Sequence, residues 1–116
     1  MNETELAVLG RTIRCQWVVL DDGVQILLTG GDLSHIGAVS AAEPDTPART
    51  LLFPGHRDQD LAEPWAETLA AALHCHVCVT CGIHFDNLSR EGLSEVLAAA
   101  QILLERVKTA LLPSGT

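Results

Sequence analysis

Tyrosine is absent from this 116-residue chain, and its aromatics are two tryptophans and two phenylalanines. Stacking on a planar ligand therefore falls to Trp17, Trp65, Phe53 or Phe85. Cations are also scarce: seven Lys and Arg stand against fifteen Asp and Glu, a net charge of −8 with histidines neutral. Binding to nucleic acid or an anionic membrane rests on clustered Lys and Arg. Here they are scattered, so neither partner is expected. No apolar run approaches the roughly twenty residues of a membrane-spanning helix. The opening "MNETELAVLG" is acidic and lacks the apolar core of a secretory signal, so a cytoplasmic location is expected. No G-x-S-x-G, Walker, Rossmann or H-E-x-x-H pattern is present, and no Ser or Cys nucleophile is signalled.

Four cysteines occur, and in a cytosolic chain they are expected to be reduced. Three lie in "HCHVCVTCG", as Cys75, Cys78 and Cys81. That spacing resembles metal or iron–sulfur ligation, but the segment also alternates with valine as a strand does. In a strand, Cys75 and Cys81 share a face with Val77 and Val79, while Cys78 faces the other way with His76 and Thr80. Splitting the thiols between faces argues against one shared metal, so they read as small buried hydrophobes.

Nearly half of the residues are apolar, enough for one packed domain over residues 1–116 without staples. "RTIRCQWVVL" alternates, with Ile13, Cys15, Trp17 and Val19 on one face. "DDG" signals a hairpin, "VQILLTG" the return strand, and "IGAVSA" a third strand. Residues 43–49 read as a loop. Leu61, Trp65, Leu69 and Leu73, with Ala62, Ala66 and Ala70 beside them, mark a helix with a core face. Asp60 and Glu63 resemble its capping box. His74 to Cys81 is a fourth strand. Leu93, Val96, Leu97, Ala100, Leu103, Leu104, Val107 and Leu111 trace the stripe of a long last helix, ended by Pro113 and Gly115. The expected class is α+β: an antiparallel-rich sheet in the order β-β-β-α-β-α, with two helices packed on it.

Polar residues gather in three glycine-bearing bends. "GGDLSHIG" holds Asp32, Ser34 and His35; "PGHRD" holds His56, Arg57 and Asp58; "GIHFDN" holds His84, Asp86 and Asn87. Each is also explained as a plain connection: a loop, a turn with a helix cap, or a strand-to-helix link capped by Asp86, Asn87 or Ser89. Together they could form one rim. Imidazoles and carboxylates suit a divalent metal, and an arginine at a helix N-terminus suits a phosphate. A small metal-dependent hydrolase using His56, His84 and Asp86 is one reading. An assembly chaperone with no small ligand is another.

"GGDLSHIGAVSAA", "FPGHRDQDLAEPWAETLA" and "CGIHFDNLSREGLSEVL", in this order and spacing, resemble the small prenylated-flavin chaperone family, LpdD-like, also called a small D subunit. The resemblance runs from about Arg11 to about Leu104. It implies a proteasome-assembly-chaperone-like fold, usually as a homodimer. It further implies a non-catalytic role: binding reduced prenylated FMN and loading it onto a UbiD-type decarboxylase of hydroxyarylic acids. The positions carried over are Gly31, His35 and Gly37, then Gly55, His56 and Arg57, then Gly82, His84 and Asp86. Within that resemblance we place His35, His56 and His84 at a metal ion or phosphate, Arg57 at the phosphate, and the glycines against the cofactor. The cysteines of the fourth strand stay unassigned. The scarcity of aromatics fits a shallow flavin site.

Overall fold

The computed structural model describes residues 2–55 and 57–113. Strand β1 (Glu3–Val8) pairs antiparallel with β2 (Arg11–Val19), and β2 with β3 (Gly23–Gly31). Then come β4 (Leu33–Ala42), β5 (Arg49–Leu52), α1 (Gln59–Leu73), β6 (His76–His84) and α2 (Arg90–Leu111). The α+β class stands, and the sheet is mostly antiparallel. The expected element order gains two strands. β1 was hidden in the acidic opening segment, and β5 is four residues long. The β1–β2 turn is Leu9–Gly10, both with positive φ (53° and 75°). That matches the twist of a two-residue hairpin and suits glycine at its second position.

The sheet order is β1-β2-β3-β6-β4-β5. The last strand is thus inserted between β3 and β4, parallel to the former and antiparallel to the latter. An interior strand needs apolar residues and no gaps in its ladder, which the Val/Cys-rich segment supplies. Val77, Val79 and Cys81 are buried, while Cys78 faces the other side. Cys75 falls just before the strand and is half-buried. Ile13, Cys15 and Trp17 are buried as alternation requires, but Val19, at the strand's end, is exposed.

Helix α1 lies over β4 and β6, α2 over β1 and β2, and all share one core. In α1 the buried residues are Ala62, Trp65, Ala66, Leu69 and Ala70, the i, i+3, i+4 stripe of an amphipathic helix. Removing a fully buried leucine such as Leu69 costs about 2–5 kcal/mol. Asp60 and Glu63 are not the capping box: α1 starts one residue before Asp60, and its N-cap is Asp58, whose side chain makes no cap hydrogen bond. Ser89 does cap α2, accepting from the Gly92 N–H at 3.0 Å, an arrangement worth about 1 kcal/mol. Leu93 and Leu97 depart from the expected core stripe: they are 42% and 44% exposed, whereas Val96, Ala100, Leu103, Leu104 and Val107 are buried. No helix among the described residues is long and apolar enough to cross a membrane.

Candidate functional site

The insertion of β6 brings the three bends to one end of the sheet. His84, the last residue of β6, pairs with Gly31 of β3 on one side and Leu33 of β4 on the other. The chain therefore passes over the end of β6 at Asp32, whose N–H donates to the His84 carbonyl at 2.7 Å. The Asp32 carboxylate ties the first and third bends together. Oδ1 accepts from Arg11 Nε at 2.6 Å, and Oδ2 from the Asp86 N–H at 2.8 Å. Arg11 foremost, then the Asp86 amide, hold this carboxyl below the usual aspartate range.

His35 is aimed by a bulge. Ser34 pairs with Ile83 and Ala38 with Cys81, so three residues of β4 face the single residue Gly82. Extra residues on one strand kink it and redirect side chains. Here the bulge presses the His35 carbonyl onto Gly82, where a Cβ would collide with it. The His35 ring then stands edge-on to that of His84, centroids 6.3 Å apart.

The second bend enters through Asp58, buried at 7% exposure. Its carboxylate turns away from its own helix and into the sheet. Oδ1 accepts from the Ile83 N–H at 2.9 Å and lies 3.7 Å from Cys81 Sγ; Oδ2 is 3.5 Å from His35 Nε2. A buried carboxylate requires such partners. Burial foremost, and then Asp58, push the Cys81 thiol above its ordinary range. On the rim, His84 Nε2 and Asp86 Oδ1 are 2.9 Å apart, so Asp86 orients the imidazole.

These groups border a cavity of about 650 Å³ between the N-terminal ends of the two helices, within the usual size of small-molecule sites. His35, Gly55, Arg57, Asp58 and His84 line it from the bends. Leu61, Phe85, Leu88, Leu93 and Leu97 supply an apolar wall, and Ser89 and Arg90 the start of α2. Of the sequence candidates, His35, Gly55, Arg57 and His84 share the cavity, and Asp86 supports it from behind His84. Gly31, Gly37 and Gly82 are not among the residues that line it. A Cβ on them would meet the His84 carbonyl, the Asp58 side chain and the His35 carbonyl respectively. His56 lies outside the described residues. The metal reading gains no support: among the described residues no three His, Cys, Asp or Glu side chains are grouped to hold an ion, and the two site histidines stand against carboxylates.

Arg90, Leu93 and Leu97 were not singled out as site residues from the sequence. The first follows the Ser89 cap directly, and a cation at the first position of a helix opposes the macrodipole. The two leucines looked like core because they continue a helical stripe.

Comparison with known proteins agrees with this picture. Residues 8–112 match the family model described as the prenylated flavin chaperone LpdD-like domain. Protein LpdD of Lactiplantibacillus plantarum is 30% identical over 80 residues, covering 65% of this chain and 57% of that protein. The match thus spans little more than half the length of that relative. A subunit in the crystal structure of a chaperone complex for yeast 20S proteasome assembly has a TM-score of 0.62. The superposition covers 97% of this chain and 100% of that one at 13% identity, which establishes a common fold. With its family model spanning nearly the whole sequence, the chain belongs to the prenylated-flavin chaperones of the LpdD-like family, accessory proteins rather than enzymes.

Proposed function

We propose that the chain binds reduced prenylated FMN in the cavity between the helix N-termini. It then assists loading of a UbiD-type hydroxyarylic-acid decarboxylase, working as a homodimer. The observation that carries this reading is the cavity itself: imidazoles and arginines line it together with leucines and Phe85, in a volume suited to a mononucleotide. The cofactor's reacting ring does its chemistry in the decarboxylase, and this chain's residues have other tasks. Arg57 faces the phosphate. Asp58 fixes His35, and Asp86 fixes His84, so that both rings present set edges to the ligand. Phe85 and the leucines keep water from the ring system. Among the described residues, His84 already has Asp86 as partner and no ligand trio exists, so neither a metal ion nor a hydrolase enters this proposal.

Anaerobic co-expression with a flavin prenyltransferase, followed by purification and an absorption spectrum, tests the reading. The expected result is a flavin that co-purifies with the protein. A colourless protein that also takes up no reduced prenylated FMN on addition ends it.

A further inference from the structure

Two of the chain's seven cations sit where helix electrostatics disfavours them. Arg57 immediately precedes the N-cap of α1, and Arg90 opens α2. Each faces the positive end of a helix dipole, and the two line the same cavity. Most of the other cations are engaged: Arg11 with Asp32, Arg14 with Glu5, Arg106 with the Glu5 carbonyl and Lys108 with Glu105. Arg49 lies at the other end of the sheet, in the lining of a different hollow that also includes His76. By contrast, the Arg90 side chain has no hydrogen bond or ion pair among the described residues. Among the described residues, Arg57 approaches only Asp60, at 3.9 Å, with both side chains well exposed. Two guanidinium groups without a close partner among the described residues, each beside a helix start, suit a multiply charged oxyanion. A phosphomonoester carries nearly two charges at neutral pH, whereas a phosphodiester carries one.

Further along α2 the cavity lining is apolar where exposure is costly. Leu93 and Leu97 lie on the α2 face bordering the cavity, 42% and 44% exposed. A ligand that covers them recovers the hydrophobic free energy their exposure forfeits.

The geometry points to Arg90, acting with Arg57, as the clamp on a terminal phosphomonoester, with Leu93 and Leu97 receiving the apolar end of the same ligand. The cavity thereby selects flavin mononucleotides with an added apolar ring over their dephosphorylated and unprenylated forms. This inference rests on the flavin reading of the cavity and adds the residues that set its selectivity.

The test is equilibrium binding, by fluorescence, of reduced prenylated FMN, FMN and riboflavin to the wild type, Arg90→Gln, Arg90→Lys and Leu97→Gln. Both altered positions are exposed, and circular dichroism compares the folds. The wild type is expected to prefer FMN to riboflavin. Arg90→Gln should weaken FMN roughly ten- to a hundredfold, as the loss of a charged hydrogen bond does, and leave riboflavin unchanged. Arg90→Lys keeps the charge and should fall between. Leu97→Gln should reduce the preference for prenylated FMN over FMN while sparing the preference of FMN over riboflavin. If prenylated FMN binds but Arg90→Gln binds FMN as tightly as the wild type, the clamp is overturned and the flavin reading survives. If riboflavin binds as well as FMN, the clamp is likewise overturned. If no flavin binds the wild type, both fall.

Discussion

Asp32 and Asp58 are the residues on which the rim depends, and they do opposite things with a carboxylate. Asp32 is a surface clasp. Its pKa is depressed by Arg11 and the Asp86 amide, so its stabilisation is present above the ordinary aspartate value and is lost as pH falls through the lower folded value. Asp32→Asn should therefore be less stable than the wild type at pH 7, and the gap should close as pH drops below about 4. Urea unfolding midpoints of the two proteins across that range provide the measurement. A gap that stays constant with pH would show that the charge of Asp32 is not what holds the bends. Asp58 is an internal clasp: it spends its oxygens on Ile83, Cys81 and His35 rather than on α1. Its sequence position advertised a cap, and the residues it meets are more than twenty positions away, so nothing local signalled the inward turn.

Among the elements, β4 and α2 were only half legible. The alternation of "IGAVSA" announces a strand, and β4 indeed covers it, but the bulge at His35–Gly37 opposite Gly82 depends on a partner strand over forty residues later. That bulge is what turns His35 into the site. Gly82→Ala should therefore do more than lower strand propensity. The new methyl collides with the His35 carbonyl, backbone that cannot swing aside, and overpacking of this kind costs roughly 1–3 kcal/mol. Denaturant unfolding should show a loss of that order or larger, while an effect near zero would mean that the bulge is free to relax. β1 and β5 went unread for different reasons. The acidic residues of β1 suited an exposed segment, and four residues of β5 are too few for alternation to register. Gly10, between two alternating runs, was the signal for the first hairpin. In α2 a continuous stripe concealed two functions, since a leucine facing the core and one facing a cavity are the same in sequence.

At the scale of the molecule, both helices cover one face of the sheet, and this sorts the cysteines. Cys15 and Cys81 point into the core; burial pushes the Cys15 thiol up to about 12 and Cys81 higher still. Cys75 and Cys78 are half-buried, on the far side of or beyond the strand. A thiol reagent near pH 8 should modify Cys75 and Cys78 in the native protein and reach Cys15 and Cys81 only on unfolding, since the thiolate is the reactive form. Peptide mapping after a timed exposure checks this; equal modification of all four in the native state would contradict the core as described. The same separation of faces is why "HCHVCVTCG" builds a strand rather than a metal site.

The sequence by itself determined most of the buried strand and helix positions and to which family the blocks belong, because periods of two and 3.6 residues and short motifs are local properties. Only the tertiary structure decided that β6 enters between β3 and β4, that a bulge aims His35, that Asp58 turns inward, and that Arg57 and Arg90 share one cavity. Strand partnership is set by long-range hydrogen bonding and core packing. A pattern along the chain records which side of a strand is wet, and carries no record of which strand will lie beside it.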